Sequence, residues 1–194
     1  MDDENNNTSP FLNSQSLALR IQKKIASKMS NKAFAKIFID DTTGRILDNL
    51  FKLVKEYSRS KKQAETIINS VIKIIIKIGL LYKNEQLNSD ELRQCDAFRQ
   101  TFHLFVKAAL SFYEVDYTFD NKFLHNSLKN CQSLIQNIVK LHLTEKSKQK
   151  IENVFNFFSD PHFLESVFAS NSSYSTILKS IVDDTRVLVD EGSL

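Results

Sequence analysis

The side chains of this chain that could do chemistry are cations placed beside apolar surface. Residues 5–39 contain no acidic residue, yet Arg20, Lys23, Lys24 and Lys28 fall there, followed by Lys32 and Lys36. Leu17, Ile21, Ile25 and Met29 recur every four residues, which predicts a basic amphipathic helix over about 16–30. Such a helix is attracted to an anionic lipid surface by about 1 kcal/mol per basic residue. A solvated helix face is the other interpretation of the same pattern.

Two further lysines interrupt the most apolar part of the chain, residues 67–82. A membrane-spanning helix needs ~20 apolar residues, so this stretch is too short and too charged to be one. Lys73 and Lys77 are four residues apart and therefore share a face of the predicted helix. The simplest expectation is that both extend their ammonium groups to solvent.

The sequence indicates no site for catalysis, for a metal ion or for a nucleotide. His103, His125, His142 and His162 are scattered and none lies in HExxH or beside a cysteine at ligand spacing. Three separated glycines cannot build a phosphate-binding loop, and GxSxG is absent. The Asp40–Asp41 and Asp116/Asp120 pairs are better interpreted as helix caps than as acid/base pairs. We therefore expect no enzymatic activity, no metal and no cofactor.

Composition predicts one all-α domain of about six or seven helices. The chain has 194 residues but three glycines and two prolines, too few for the tight turns of a sheet protein. A net charge of +3 does not indicate nucleic-acid binding. Cys95 and Cys131 are isolated and Met1 to Ser9 does not resemble a signal peptide, so a cytoplasmic protein is expected. Residues 1–13 are predicted to be a disordered tail and 14–194 the helical domain.

Capping residues divide the domain into helices. We expect helices to begin at Ser60, at Ser89 and Asp90, at Asp120, at Thr144 or Ser147, and at Asp160–Pro161. The helix that begins at Ser89 and Asp90 carries phenylalanines at helical spacing, with Leu104 and Leu110 on a second side. Such a stripe is most simply part of a packed core.

Seven segments, in order along the chain, together resemble the tumour necrosis factor alpha-induced protein 8 (TIPE) family. They are LALRIQKKIASKM at 17–29, FIDDTTGRILDNLFKL at 38–53, IKIIIKIGLLYKN at 72–84, SFYEVDYTFD at 111–120, HLTEKS at 142–147, VFNFFSDP at 154–161 and VDEG at 189–192. The resemblance implies a cylinder of helices around a large apolar cavity that takes lipid tails. It also implies roles in phosphoinositide transfer and signalling, cell survival and immune regulation.

The resemblance also implies roles for individual residues. Lys83 and Arg99 match basic positions at the cavity mouth, where a phospholipid or phosphoinositide headgroup is held, with Lys73 and Lys77 as further candidates. Arg20, Lys23, Lys24 and Lys28 would contact the membrane reversibly. The candidate cavity-lining residues are Ile75, Ile78, Phe102, Phe105 and Phe112. The alternative is a helical adaptor that binds signalling proteins and has no functional lipid site.

Overall fold

The computed structural model describes residues 41–115 and 119–193, and every regular element in those ranges is an α-helix. This confirms the predicted all-α class. The predicted tail and basic helix, with Arg20, Lys23, Lys24 and Lys28, lie outside the described residues. The seven described helices are α1 (Asp41–Ser58), α2 (Lys61–Lys83), α3 (Ser89–Glu114), α4 (Asn121–Val139), α5 (Glu145–Phe158), α6 (Pro161–Phe168) and α7 (Ser175–Asp190).

Side-chain caps begin three of the helices where the sequence predicts them. The Ser60 hydroxyl accepts a hydrogen bond from the backbone N–H three residues on (3.2 Å), and the Asp120 and Asp160 carboxylates do the same (3.0 and 2.9 Å). Each bond satisfies a backbone donor that has no partner inside the helix. Thr144 precedes α5 as expected, but its hydroxyl contacts Ser147 Oγ instead of capping the backbone.

The start of α3 uses a capping box that we did not predict. The helix begins at Ser89, but the capping side chain is Asn88, whose Oδ1 accepts from the Glu91 backbone N–H at 2.9 Å. The Glu91 carboxylate in turn accepts from the Asn88 N–H at 2.8 Å. This reciprocal pair satisfies two backbone donors at once.

Six helices form a closed ring. Going round it, α1 packs on α2, α2 on α5, α5 on α4, α4 on α3, α3 on α7, and α7 on α1. The short α6 packs mainly on α4 and also touches α5 and α7. In this order α2 and α3 lie opposite each other, and although both are wholly described they do not pack along each other.

The wall of the ring is closely packed. Fully buried aliphatic side chains from four of its helices hold it together, and α6 adds an aromatic contact in which Tyr57 meets Phe163 edge-on at 4.9 Å. Leu104, which we expected on a second apolar side of α3, is instead 61% exposed. The largest fully buried apolar side chains include Val54, Ile68, Leu124, Ile138 and Ile151.

The junctions of α7 with the ring differ in strength. Leu178, Val182 and Leu188 bury one face of α7, and Arg45 of α1 forms an ion pair with Asp184 at 2.7 Å. On the other side, α7 meets α3 at few points, one of them the exposed Arg186–Glu114 ion pair. Exposed ion pairs contribute about 0–1 kcal/mol, so apolar burial against α1 holds α7 in place.

Truncation of a wall residue should lower stability far more than truncation of an outward-facing one. Leu124→Ala removes a fully buried side chain from α4 and should cost about 2–5 kcal/mol, measured by urea unfolding. Leu104→Ala, an exposed leucine on α3, is the matched control and should change the free energy of unfolding by about 0.5 kcal/mol at most. Equal losses in the two variants would contradict the assignment of α4 to the core.

Candidate functional site

The apolar face of α3 is incompletely covered. Of the described side chains of this helix, only Glu91 and Val106 are buried. Phe98, Phe102 and Phe105 are half-buried and stack in series, with ring centroids 5.7 and 5.9 Å apart. Phe112, further along, is also half-buried and meets Phe119 edge-on at 5.7 Å. A helix this rich in aromatic residues is ordinarily buried along one face.

The C-terminal half of α2, on the opposite side of the ring, shows the same incomplete burial. Ile72 and Ile74 are buried, but none of residues 75–80 is. Of the two cavity-lining candidates here, Ile78 is half-buried and Ile75 is 40% exposed. The ring therefore has an apolar but incompletely covered surface on each of two opposed helices.

The predicted headgroup cations are spread along these two helices rather than gathered at one point. Lys83 is exposed in the last turn of α2, and Lys73 and Arg99 are exposed too. At 1.5 Å rise per residue, Lys73 lies about 15 Å before the end of α2, and Arg99 lies about 15 Å beyond the first residue of α3. Arg99 is in the same stretch of α3 as the stacked phenylalanines.

Lys77 does not extend freely to solvent. It is half-buried, and its Nζ donates a hydrogen bond to Ser147 Oγ at 2.6 Å. Ser147 is buried in the first turn of α5, so the lysine fastens α2 to α5. Lys73 and Lys77 thus differ in surroundings although they are four residues apart.

A second polar contact joins the start of α3 to the turn between α4 and α5. His142 Nε2 donates to Glu91 Oε1 at 3.0 Å, and both side chains are largely shielded from solvent. The Asn88 backbone N–H, and then the bond from His142, lower the pKa of the Glu91 carboxyl. The Asn-x-x-Glu pattern could have revealed the capping half of this contact. Sequence spacing could not have revealed that His142, 51 residues away, is the partner of Glu91.

An open groove lies at the opposite end of α2. It has a volume of about 900 Å³ and is lined largely by polar side chains, among them Gln63, Asn153, Asn156, Asp160 and His162. Burial, and then the nearby Asp160 carboxylate, raise the pKa of the Tyr57 hydroxyl on its edge. None of the sequence-predicted site residues within the described ranges lines this groove, so it is separate from the facing surfaces of α2 and α3.

Two absences apply to the part of the chain that the structure describes. No group of three or more histidine, cysteine, aspartate or glutamate side chains there is arranged to hold a metal ion. No helix within 41–115 or 119–193 is long and apolar enough to cross a bilayer.

The described residues thus form an all-helical protein with incompletely covered apolar surface on two opposed helices and cations along both. A sequence model described as "Tumor necrosis factor alpha-induced protein 8-like" matches residues 12–192. The chain belongs to this family.

Similar proteins match over nearly their whole length. Tumor necrosis factor alpha-induced protein 8-like protein 1 of Danio rerio is 41% identical over 180 residues, covering 93% of this chain and 97% of that protein. Tumor necrosis factor alpha-induced protein 8 of Gallus gallus is 42% identical over 182 residues, covering 94% and 97%. The names of these two relatives describe no enzymatic activity.

A solved structure shares the fold. The C-terminal region of G-protein interacting protein 1 from Dictyostelium discoideum superposes with a TM-score of 0.63 at 17% identity, covering 80% of this chain and 95% of that one. At that identity the likeness concerns the fold alone.

The Glu91–His142 contact should make stability depend on pH. Because the folded pKa of Glu91 is lowered, its carboxylate stabilises the fold fully above the ordinary pKa of 4.5, and that contribution is lost as pH falls through the folded pKa. Glu91→Gln can still cap α3 but lacks the charge. We therefore expect its free energy of unfolding to fall by about 1 kcal/mol or more at neutral pH, and the difference from the unaltered chain to disappear in acid. Urea unfolding from neutral pH down into acid measures this difference in the free energy of unfolding.

The matched control is Glu145→Gln, which removes an exposed carboxylate paired with Lys148. This substitution should change the free energy of unfolding by no more than about 0.5 kcal/mol at any pH. A loss for Glu91→Gln that persists unchanged below the folded pKa would show that the charge is not what stabilises the contact.

Proposed function

We propose that this protein binds a phospholipid, with its acyl chains in the ring and its anionic headgroup near Lys83 and Arg99. The observation that carries the proposal is the pair of incompletely covered apolar surfaces on α2 and α3. Exposed apolar surface inside a ring of helices is stabilised when hydrocarbon covers it. Each buried CH₂ contributes about 0.8 kcal/mol, so two acyl chains could supply most of the affinity.

The cations suit the headgroup chemistry in different ways. Arg99 can donate two parallel hydrogen bonds to a phosphate through its planar guanidinium, whereas Lys83 and Lys73 act as point charges. Lys77 would reach a phosphate only by giving up its bond to Ser147. Phosphates on an inositol ring would engage more of these cations than a single phosphodiester, which favours a phosphoinositide.

Family membership supports a role in signalling and cell survival. A lipid carrier would serve such a role by delivering or presenting a phosphoinositide at a membrane. In this proposal the protein is cytoplasmic, associates reversibly with an anionic leaflet through Arg20, Lys23, Lys24 and Lys28, and has no enzymatic activity. Immune regulation is the further role that the family resemblance implies.

The direct test is mass spectrometry of the purified protein, first under native conditions and then after organic extraction. We expect a bound mass that is removed by extraction and identified as a phospholipid. Ile78→Trp, which adds bulk to the α2 surface facing the ring, should reduce the fraction carrying lipid at least severalfold. Leu104→Trp adds a similar bulk to an exposed position on α3 and should leave it unchanged. A protein free of lipid that still binds a protein partner would favour the adaptor function.

Charge reversal tests the headgroup assignment separately. Lys83→Glu with Arg99→Glu should reduce preference for phosphoinositides over phosphatidylcholine at least tenfold, measured by competition with short-chain soluble lipids. A matched variant is Lys83→Glu with Lys107→Glu, because Lys107 is exposed on α3 two turns beyond Arg99. It should reduce the preference less. Full selectivity in the first variant would rule out this headgroup site.

A further inference from the structure

One end of the ring carries exposed apolar side chains that the proposed site does not use. Leu141, in the turn between α4 and α5, is 80% exposed and is the most exposed large apolar residue in the described part of the chain. Tyr82, in the last turn of α2, is 64% exposed, and Leu92 at the start of α3 is 40% exposed.

Three contacts bring these side chains to the same end of the molecule. Leu92 follows Glu91 and Leu141 precedes His142, so the 3.0 Å bond between Glu91 and His142 joins the two segments that carry these leucines. Tyr82 follows Leu81, which packs in the same buried cluster as Val139 at the end of α4. The bond between Lys77 and Ser147 fixes the end of α2 against the start of α5.

Lysines accompany these apolar residues. Tyr82 is followed by Lys83 and Leu141 is preceded by Lys140, and both lysines are exposed. Lys146, in the first turn of α5, is exposed as well. An exposed apolar group beside exposed lysines is the pattern of a surface that enters the headgroup region of an anionic bilayer.

Five basic and four acidic residues at this end, within 83–93 and 140–148, leave it with a formal excess of one positive charge. Asp90 is paired with Arg93, and Glu145 with Lys148 at 2.7 Å. Glu91 is buried against His142. The remaining exposed carboxylate in these two turns and their flanking helix ends is Glu85, which opposes Lys83, Lys140 and Lys146.

We propose that this end of the ring is a membrane-docking surface for an anionic bilayer, distinct from the N-terminal basic segment. Leu141 and Tyr82 enter the interface, with the tyrosine hydroxyl at headgroup level, while Lys83, Lys140 and Lys146 contact the lipid phosphates. The inference rests on the proposed function, because docking through this surface would place the ends of α2 and α3, and with them the proposed lipid site, next to the bilayer. A lipid could then pass between bilayer and ring without crossing water.

A bilayer fits this surface better than a second copy of the chain. Stable protein interfaces bury about 800 Å² per partner, whereas here three separate side chains project among like charges. Two copies docked through this surface would bring the lysines of one copy close to the lysines of the other, which costs free energy.

The test uses the full chain and co-sedimentation with phosphatidylcholine vesicles, with and without phosphatidylserine, at physiological salt. Leu141→Asp should weaken binding to the phosphatidylserine vesicles roughly tenfold, and Lys140→Gln roughly fivefold. Leu104→Asp is the matched control because it places the same charge at another exposed leucine, and it should bind as the unaltered chain does.

Glu85→Asn provides a gain of binding that a folding defect could not produce. It removes the opposing carboxylate, and asparagine tolerates the positive φ of 52° at this position. Binding to phosphatidylserine vesicles should strengthen up to about fivefold and the gain should shrink at high salt.

Three outcomes separate this inference from the proposed function. Weaker vesicle binding by Leu141→Asp, with unchanged uptake of a short-chain lipid from solution, supports both. Vesicle binding that depends on Leu141 in a protein that takes up no lipid supports docking and refutes the lipid site. Vesicle binding unaffected by Leu141→Asp and Glu85→Asn, or a loss of self-association in Leu141→Asp, overturns the docking surface.

Discussion

The order of the helices around the ring is the constraint on which the rest of the structure depends. Because α2 and α3 lie on opposite sides, they do not pack along each other, although they are consecutive in the chain. Phe98 of α3 packs against the buried cluster that contains Ile74 and Leu81 of α2. The stacked rings of Phe98, Phe102 and Phe105 remain half-buried under this constraint. Direct packing of α2 on α3 would have buried them more completely.

The two ends of α2 are held by different kinds of interaction. Near its start, Tyr57, Phe157 and Phe163 pack ring against ring, so α1, α5 and α6 meet through apolar contacts. At its C-terminal end, hydrogen bonds add to the apolar packing: Lys77 bonds Ser147, and His142 bonds Glu91. Polar contacts that exchange with water open at lower cost than a packed aromatic cluster. Under the proposed function this difference favours lipid entry at the end where α2 finishes and α3 begins.

Much of the fold could be predicted because the signals that form helices act within about four residues. Ser60, Asp120 and Asp160 cap helices as expected, and their apolar stripes reach the core. The sequence could not tell Lys73 from Lys77, since both share one helix face. Their surroundings differ because α5 packs beside α2 and brings Ser147 to one of them.

By itself, then, the sequence determined the all-α class, the places where helices begin, the composition of their apolar faces and the family. Tertiary structure decided which of those faces are covered. The phenylalanines of α3 have the spacing of a core stripe, and only the ring order leaves them half-exposed. Likewise, Glu91 meets His142 across 51 residues, and this gathers Leu92 and Leu141 at one end. Local sequence spacing does not predict such contacts, because they form only when helices that are distant in the chain pack together.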